Sequence, residues 1–273
     1  MQAAEKNFIK TALEWYIDQD IDSILGDEPI NRFAQNQDAF PPLSKPSPQD
    51  DSTRASQTLG ASQARIEAIR IAQDSTTLEE LQISIADFDG IALKKTATNM
   101  VFSDGNAQAD IMLIGEAPAE EEDREGKPFC GIDGVLLDKI LACIDIQRFD
   151  KMAAKSVYLT NFINWRPPGN RPPSSGEIEV SLPFIERHIQ LIQPKLMILC
   201  GSLPAKALLG KSEGLSRLRK KWHDYTPQTP ELAHGIESIP AIVTYHPAYL
   251  LRTPSQKRAV WSDMRAVQSK LNR

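Results

Sequence analysis

Three stretches of this chain gather side chains that handle protons, water and the polar edges of ligands. The first, GEAPAEEEDREGKPF over 115–129, is a run of carboxylates that includes Glu116 and Glu122 and closes on Phe129. The second, NFINWRPPGNRPP over 161–173, carries the amides Asn161 and Asn170 among arginines and prolines. The third, HPAYLLR over 246–252, opens on His246. Carboxylates orient or activate water, an amide offers a donor and an acceptor side by side, and an imidazole exchanges or shares a proton near neutral pH. Acids, amides and a histidine brought to one place make a site by position.

The pattern of apolar runs is the device that brings them together. Short, nearly continuous apolar segments lie at Asp110–Gly115, Ser156–Asn161, Leu196–Gly201 and Ile239–Tyr245, as buried parallel strands require. Each of the three chemical stretches comes directly after one of them. Helical patterns fall at Gly134–Cys143, Ser175–Ile192, Leu203–Leu209 and Ser255–Leu271. The alternation predicts a three-layer αβα fold with a central four-stranded parallel sheet. In such sheets ligands bind beyond the C-terminal strand ends, which is where the three stretches emerge.

The N-terminal part reads differently. Apolar residues at helical spacing (Phe8, Ile9, Leu13, Tyr16, Ile17) predict an amphipathic helix within 1–26. Residues 27–58 are rich in Pro, Asp, Gln and Ser and read as a flexible linker. The main domain is then 59–273, with a mostly helical lead-in over 59–91.

Net charge is −5, unpromising for a partner of nucleic acid, but it is unevenly spread. Residues 1–60 hold 5 basic and 10 acidic side chains, whereas 214–273 hold 10 basic against 4 acidic. The basic end fits either a phosphate-tracking surface or a solvated helix face. The three cysteines, Cys130, Cys143 and Cys200, are too few and too scattered for a disulfide framework or a four-thiolate metal site. No apolar run reaches the ~18–20 residues of a membrane span, and the N-terminus lacks a signal-peptide core. A cytoplasmic monomer with no membrane contact is expected.

The three stretches, in this order and each after a strand, resemble motifs of the uracil-DNA glycosylase superfamily, its family 4 most closely. The first is similar to GEAPG-x-x-x-D…G-x-P-F, the second to T-N…R-P-P-x-N-R, the third to H-P-A-Y-L-L, collinear from about Phe88 to Leu271. The resemblance implies a monofunctional enzyme that flips uracil out of DNA and hydrolyses its N-glycosidic bond, initiating base-excision repair. It implies that Asn161 pairs with uracil N3–H and O4, that His246 donates to O2 as charge develops there, and that Phe129 stacks on the base. Glu116 and Asn170 would position water or sugar, and Glu122 would line the uracil C5 edge and reject thymine. Arg171, Leu250, Leu251 and Arg252 would contact DNA. Glu120, Glu121 and Asp123 are expected to face solvent.

The chain departs from that pattern in two respects. Ala119 stands where the family has Gly, a cost if positive φ is needed there. The four cysteines that hold the family's iron–sulfur cluster are replaced by Phe88, Ile91, Trp165 and Ser181, so no cofactor and no metal is expected. The stretch 162–173 also has no histidine, as the branch that bonds covalently to DNA would need. Two other readings stand beside the enzyme. One is a catalytically weak DNA-binding relative. The other is a small-nucleotide hydrolase, for which no nucleophile elbow, Walker loop or metal constellation is present.

Overall fold

The computed structural model describes residues 63–233 and 237–271. The helix expected in 1–26 and the linker over 27–58 lie outside the described residues. Helix α1 runs over 63–74. It is followed by α2 (Leu78–Asp87), whose N-cap Thr77 accepts from Glu80 N–H. The strands are β1 (Asp104–Gly105), β2 (Ile111–Gly115), β3 (Val157–Asn161), β4 (Leu196–Cys200), β5 (Trp222–Tyr225) and β6 (Ile239–Thr244). Between and after them lie α3 (Glu120–Glu125), α4 (Gly131–Ala142), α5 (Ser175–Ile192), α6 (Ser202–Leu209), α7 (Leu215–Leu218), α8 (Pro247–Arg252) and α9 (Lys257–Leu271).

The sheet order is β1-β3-β2-β4-β6-β5. Its four middle strands are parallel and are the four read from the apolar runs. Two antiparallel edges, β1 against β3 and β5 against β6, extend the expected four strands to six. β1 is two residues long and β5 alternates burial, so neither carries the continuous apolar run that marks the inner strands.

Alternate strand residues divide the core between the two faces, as the pleat demands. Met112, Ile114, Tyr158, Met197, Leu199 and Val243 join the apolar cluster under α1, α2, α5 and α6. Ile111, Leu113, Val157, Leu159, Ile198 and Ile242 join the one under α4, α8 and α9. Because β2, β3 and β4 are buried throughout, only their ends are free to present polar groups. Register aligns those ends: Gly115 faces Asn161, and Cys200 faces Thr244. No helix among the described residues is long and apolar enough to cross a membrane.

Candidate active site

Glu116 is the first residue beyond β2. Its Oε1 accepts from the backbone N–H groups of Ser202 (2.7 Å) and Leu203 (3.1 Å), the first amides of α6. A carboxylate there satisfies two amides that no helical carbonyl can reach and sits at the positive end of the helix dipole. Gly201 makes the approach possible, since its φ is +106° and a Cβ on it would overlap the Glu116 carboxylate.

Glu122 lies in the first turn of α3 and is 4% exposed. Its Oε2 accepts from Ala119 N–H at 2.8 Å, and its Oε1 from Phe129 N–H at 2.6 Å and Asn161 Nδ2 at 3.1 Å. Burial pushes its carboxyl above the usual carboxylate range, against the pull of these donors. Sequence reasoning set Glu122 at the uracil C5 edge. In the structure the carboxylate is spent on three donors and braces the first stretch against the second.

That brace orients Asn161. A carboxylate accepts and does not donate, so the amide must turn Nδ2 toward Glu122. The Asn161 Oδ1 is left buried and without a partner among the described residues. Gly115, paired with Asn161 across the strands, keeps the space open: a Cβ there would overlap both the Asn161 Oδ1 and the Phe129 ring.

Phe129 is fully buried, and its φ is +52°, a conformation that bulky residues rarely adopt. Glu122 holds its N–H. Arg148 holds its carbonyl through Nη2 at 2.5 Å and itself pairs with Asp104 (2.8 Å) and Asp138 (2.7 Å). The Phe129 ring stacks beside that of His246, with centroids 5.4 Å apart and planes at 25°.

His246 caps α8 and is half-buried. Its Nδ1 accepts from Ala248 N–H at 3.3 Å. A ring that accepts at Nδ1 carries its proton on Nε2, so Nε2–H is the available donor. Burial lowers its pKa below the ordinary histidine value; Glu116 opposes that shift and Arg252 adds to it. The ring is therefore neutral at neutral pH.

The rim differs from expectation in several places. Leu250 is fully buried in the cluster under α4 and α9, because its face of α8 packs on the sheet, so it is not placed to meet DNA. Leu251 and Arg252 are exposed. Arg171 forms a two-pronged pair with Glu177 (2.7 and 2.9 Å), part of the cap of α5. Asn170, exposed and with φ +55°, accepts from Arg166 Nε at 2.8 Å. Arg166 also reaches Glu120 and so ties the second stretch to α3. Asp123 was expected in solvent and is instead 4% exposed, accepting from Thr98 and Asn99 N–H. Ala119 has φ −90°, so its Cβ costs nothing in backbone strain.

Arg148 and Arg166 were missed from the sequence. Arg148 stands outside any motif, and the partners that define it lie 44 and 10 residues before it. Arg166 was visible within its motif, but only as one arginine among prolines.

The four places where the resemblance implies cluster ligands hold Phe88, Ile91, Trp165 and Ser181. All four are buried, and the three apolar ones belong to one core cluster, where Phe88 meets Phe184 edge-on at 5.2 Å. They offer no thiolate, and a hydroxyl, an indole and two hydrocarbon side chains do not fit an iron–sulfur cluster. Cys130, Cys143 and Cys200 are half-buried, exposed and buried respectively, and none is at a ligand place.

A sequence profile of the Uracil DNA glycosylase superfamily matches residues 102–265. The chain is 32% identical to the type-4 uracil-DNA glycosylase of Pyrobaculum aerophilum, over 68% of this chain and 91% of that protein. It is 35% identical to the type-4 uracil-DNA glycosylase of Saccharolobus solfataricus, over 66% of this chain and 80% of that protein. To the one of Thermotoga maritima it is 33% identical, over 63% of this chain and 83% of that protein.

Proposed function

The chain belongs to the uracil-DNA glycosylase superfamily, and from that premise we propose that it hydrolyses the N-glycosidic bond of uracil in DNA, as the first step of base-excision repair. The observation that carries this reading is the Asn161 amide. Its Nδ2 is tied to Glu122, and its Oδ1 is buried, unpartnered among the described residues, and set at the C-terminal edge of the sheet. A buried acceptor left open costs free energy unless a ligand fills it. Uracil N3–H is such a donor, and the second Nδ2 hydrogen is then free for O4.

This orientation organises the remaining groups. The base is flipped from the duplex into this site and read along its Watson–Crick edge. Phe129 supplies a face for stacking, typically worth ~1–3 kcal/mol per base. As the bond to the sugar breaks, negative charge gathers on uracil O2, and the neutral His246 donates its Nε2–H there. Glu116, fixed by the first amides of α6, is the carboxylate available to orient water toward the oxocarbenium-like sugar. Asn170 serves the same end at the rim, and Leu251 and Arg252 meet the DNA beside it. With no thiolate at the four cluster places, we read the enzyme as working without iron or any other cofactor.

The test is release of free uracil from single-stranded and U·G oligonucleotides with no added metal. Wild-type protein should release it, whereas Asn161→Ala and His246→Ala should each be slower by ~10²–10³ in single-turnover rate, with cooperative melts retained. DNA binding without uracil release by the wild type would favour the catalytically weak relative instead.

A further inference from the structure

Behind the His246 loop lies a buried ion pair that the proposed chemistry does not use. Arg219 and Asp263 have side chains 3% exposed each. Asp263 Oδ2 accepts three bonds: from Arg219 Nε (3.0 Å), from Arg219 Nη2 (2.6 Å) and from Thr244 Oγ1 (2.8 Å). The Arg219 guanidinium also lies over the Tyr245 ring, 4.1 Å from its centroid. Tyr245 in turn packs on Tyr249 of α8, with ring centroids 4.9 Å apart. Thr244 and Tyr245 are the two residues immediately before His246.

We propose that Arg219 and Asp263 are positioning residues that hold the Thr244–Tyr245 junction, and through it set where His246 Nε2 points. The inference rests on the reading of His246 as the donor to uracil O2. Three separate parts of the chain meet here: the segment after α7, helix α9, and the turn from β6 into α8. The pair grips that turn at two consecutive residues, by a hydrogen bond to Thr244, the last of the strand, and by cation–π stacking on Tyr245 just after it. A buried ion pair is commonly no more stabilising than apolar residues of the same volume, because both charges lose their water. Its directional bonds do what packing does not, since they fix an orientation as well as a volume. An oxyanion donor needs that, for its effect depends on aim.

Stability and positioning can be separated by experiment. Thr244→Val keeps the shape and removes one bond to Asp263. The double variant Arg219→Met/Asp263→Leu removes both charges together and leaves neither unpaired. Each is compared with full-length wild type by thermal melt, DNA affinity, single-turnover uracil release, and hydrogen–deuterium exchange of the peptide spanning 244–252. The amides of Ala248, Tyr249 and Leu250, all bonded to His246, report the loop directly. Thr244→Val should slow release about tenfold, and the double variant about a hundredfold. Melting temperature and DNA affinity should stay near wild type, with faster exchange confined to this peptide. Wild-type release and wild-type exchange in a stably folded double variant would overturn the proposal. If the double variant fails to fold, Thr244→Val decides by the same two readouts. Should the wild type release no uracil, the activity reading fails, and the exchange arm still tests the strut.

Discussion

At the scale of single residues, the site is built from groups whose protonation and aim are set by their neighbours. His246 is the clearest case. Burial lowers its pKa from the ordinary value near 6.5 and keeps the ring neutral, and the Ala248 amide puts the proton on Nε2. Protonation would break the Nδ1 contact and place a cation in the half-buried site. On the proposed role of His246 as donor to uracil O2, the working form is the deprotonated one, so activity should be complete well above the lowered pKa and lost as pH falls through it. Single-turnover excision should therefore hold through neutral pH and fall on acidification with a midpoint below 6.5, the ordinary histidine value. An acidic limb with its midpoint at or above 6.5 would contradict a neutral, buried donor. Glu122 shows the same principle through geometry. Its type and place in the motif are plain in the sequence, but its three donors are contributed by Ala119 before α3, Phe129 after it, and Asn161 at the end of β3.

At the scale of elements, the site depends on how loops are clamped to the ends of strands and helices. The β2–α4 connection holds Phe129 at positive φ, a strained state that the surroundings must impose. Glu122 imposes it from the amide side and Arg148 from the carbonyl side. Lysine at 148 would keep the charge but could not reach the Phe129 carbonyl, Asp104 and Asp138 together, because it lacks the planar fork. Arg148→Lys should therefore weaken stacking on the flipped base, with uracil release about tenfold slower and a stability loss of about 1–2 kcal/mol. Kinetics alongside urea melts check this, and unchanged release would show that Phe129 needs no clamp. A second element-level prediction concerns α2 and α5. Phe88, at the end of α2, packs on Phe184 of α5, and Ile91 and Trp165 fill the same apolar cluster. Protein purified without oxygen should be colourless, and iron and sulfide assays should find no stoichiometric cluster. A cluster in stoichiometric amount would mean that ligands come from elsewhere in the chain.

At the scale of the whole molecule, charge is segregated. Residues 1–60 are acidic and the last sixty residues are basic, so the two ends interact oppositely with a phosphate backbone. The profile match begins at residue 102, well beyond the acidic part. Removing residues 1–58 should therefore leave uracil release within about twofold of full length and should not weaken DNA affinity, since the charges removed are ones that repel DNA. Release assays and salt-dependent binding of the truncated protein measure both. A truncated protein that melts earlier or turns over more slowly would assign the segment a part in the domain.

Much of this architecture is local and legible in the chain alone. A strand buried on both faces needs a continuous apolar run, so β2, β3, β4 and β6 announce themselves. In a parallel sheet the residues just after such runs all emerge at one edge, so the sequence suffices to place Glu116, Asn161 and His246 together. The antiparallel edges were not legible, because two residues of β1 and the alternating β5 carry no run. Nor were the partners of side chains. Leu250 and Leu251 are the same residue type one position apart, and only the packing of α8 on the sheet buries one and exposes the other. Arg148 meets Asp104 across 44 residues, and Arg219 meets Asp263 across the same number. Sequence determines which residues come after a strand, because periodicity is a short-range property. Which side chain each carboxylate grips, and which way a ring or an amide is turned, is decided by contacts between distant segments, and those exist only once the chain has folded.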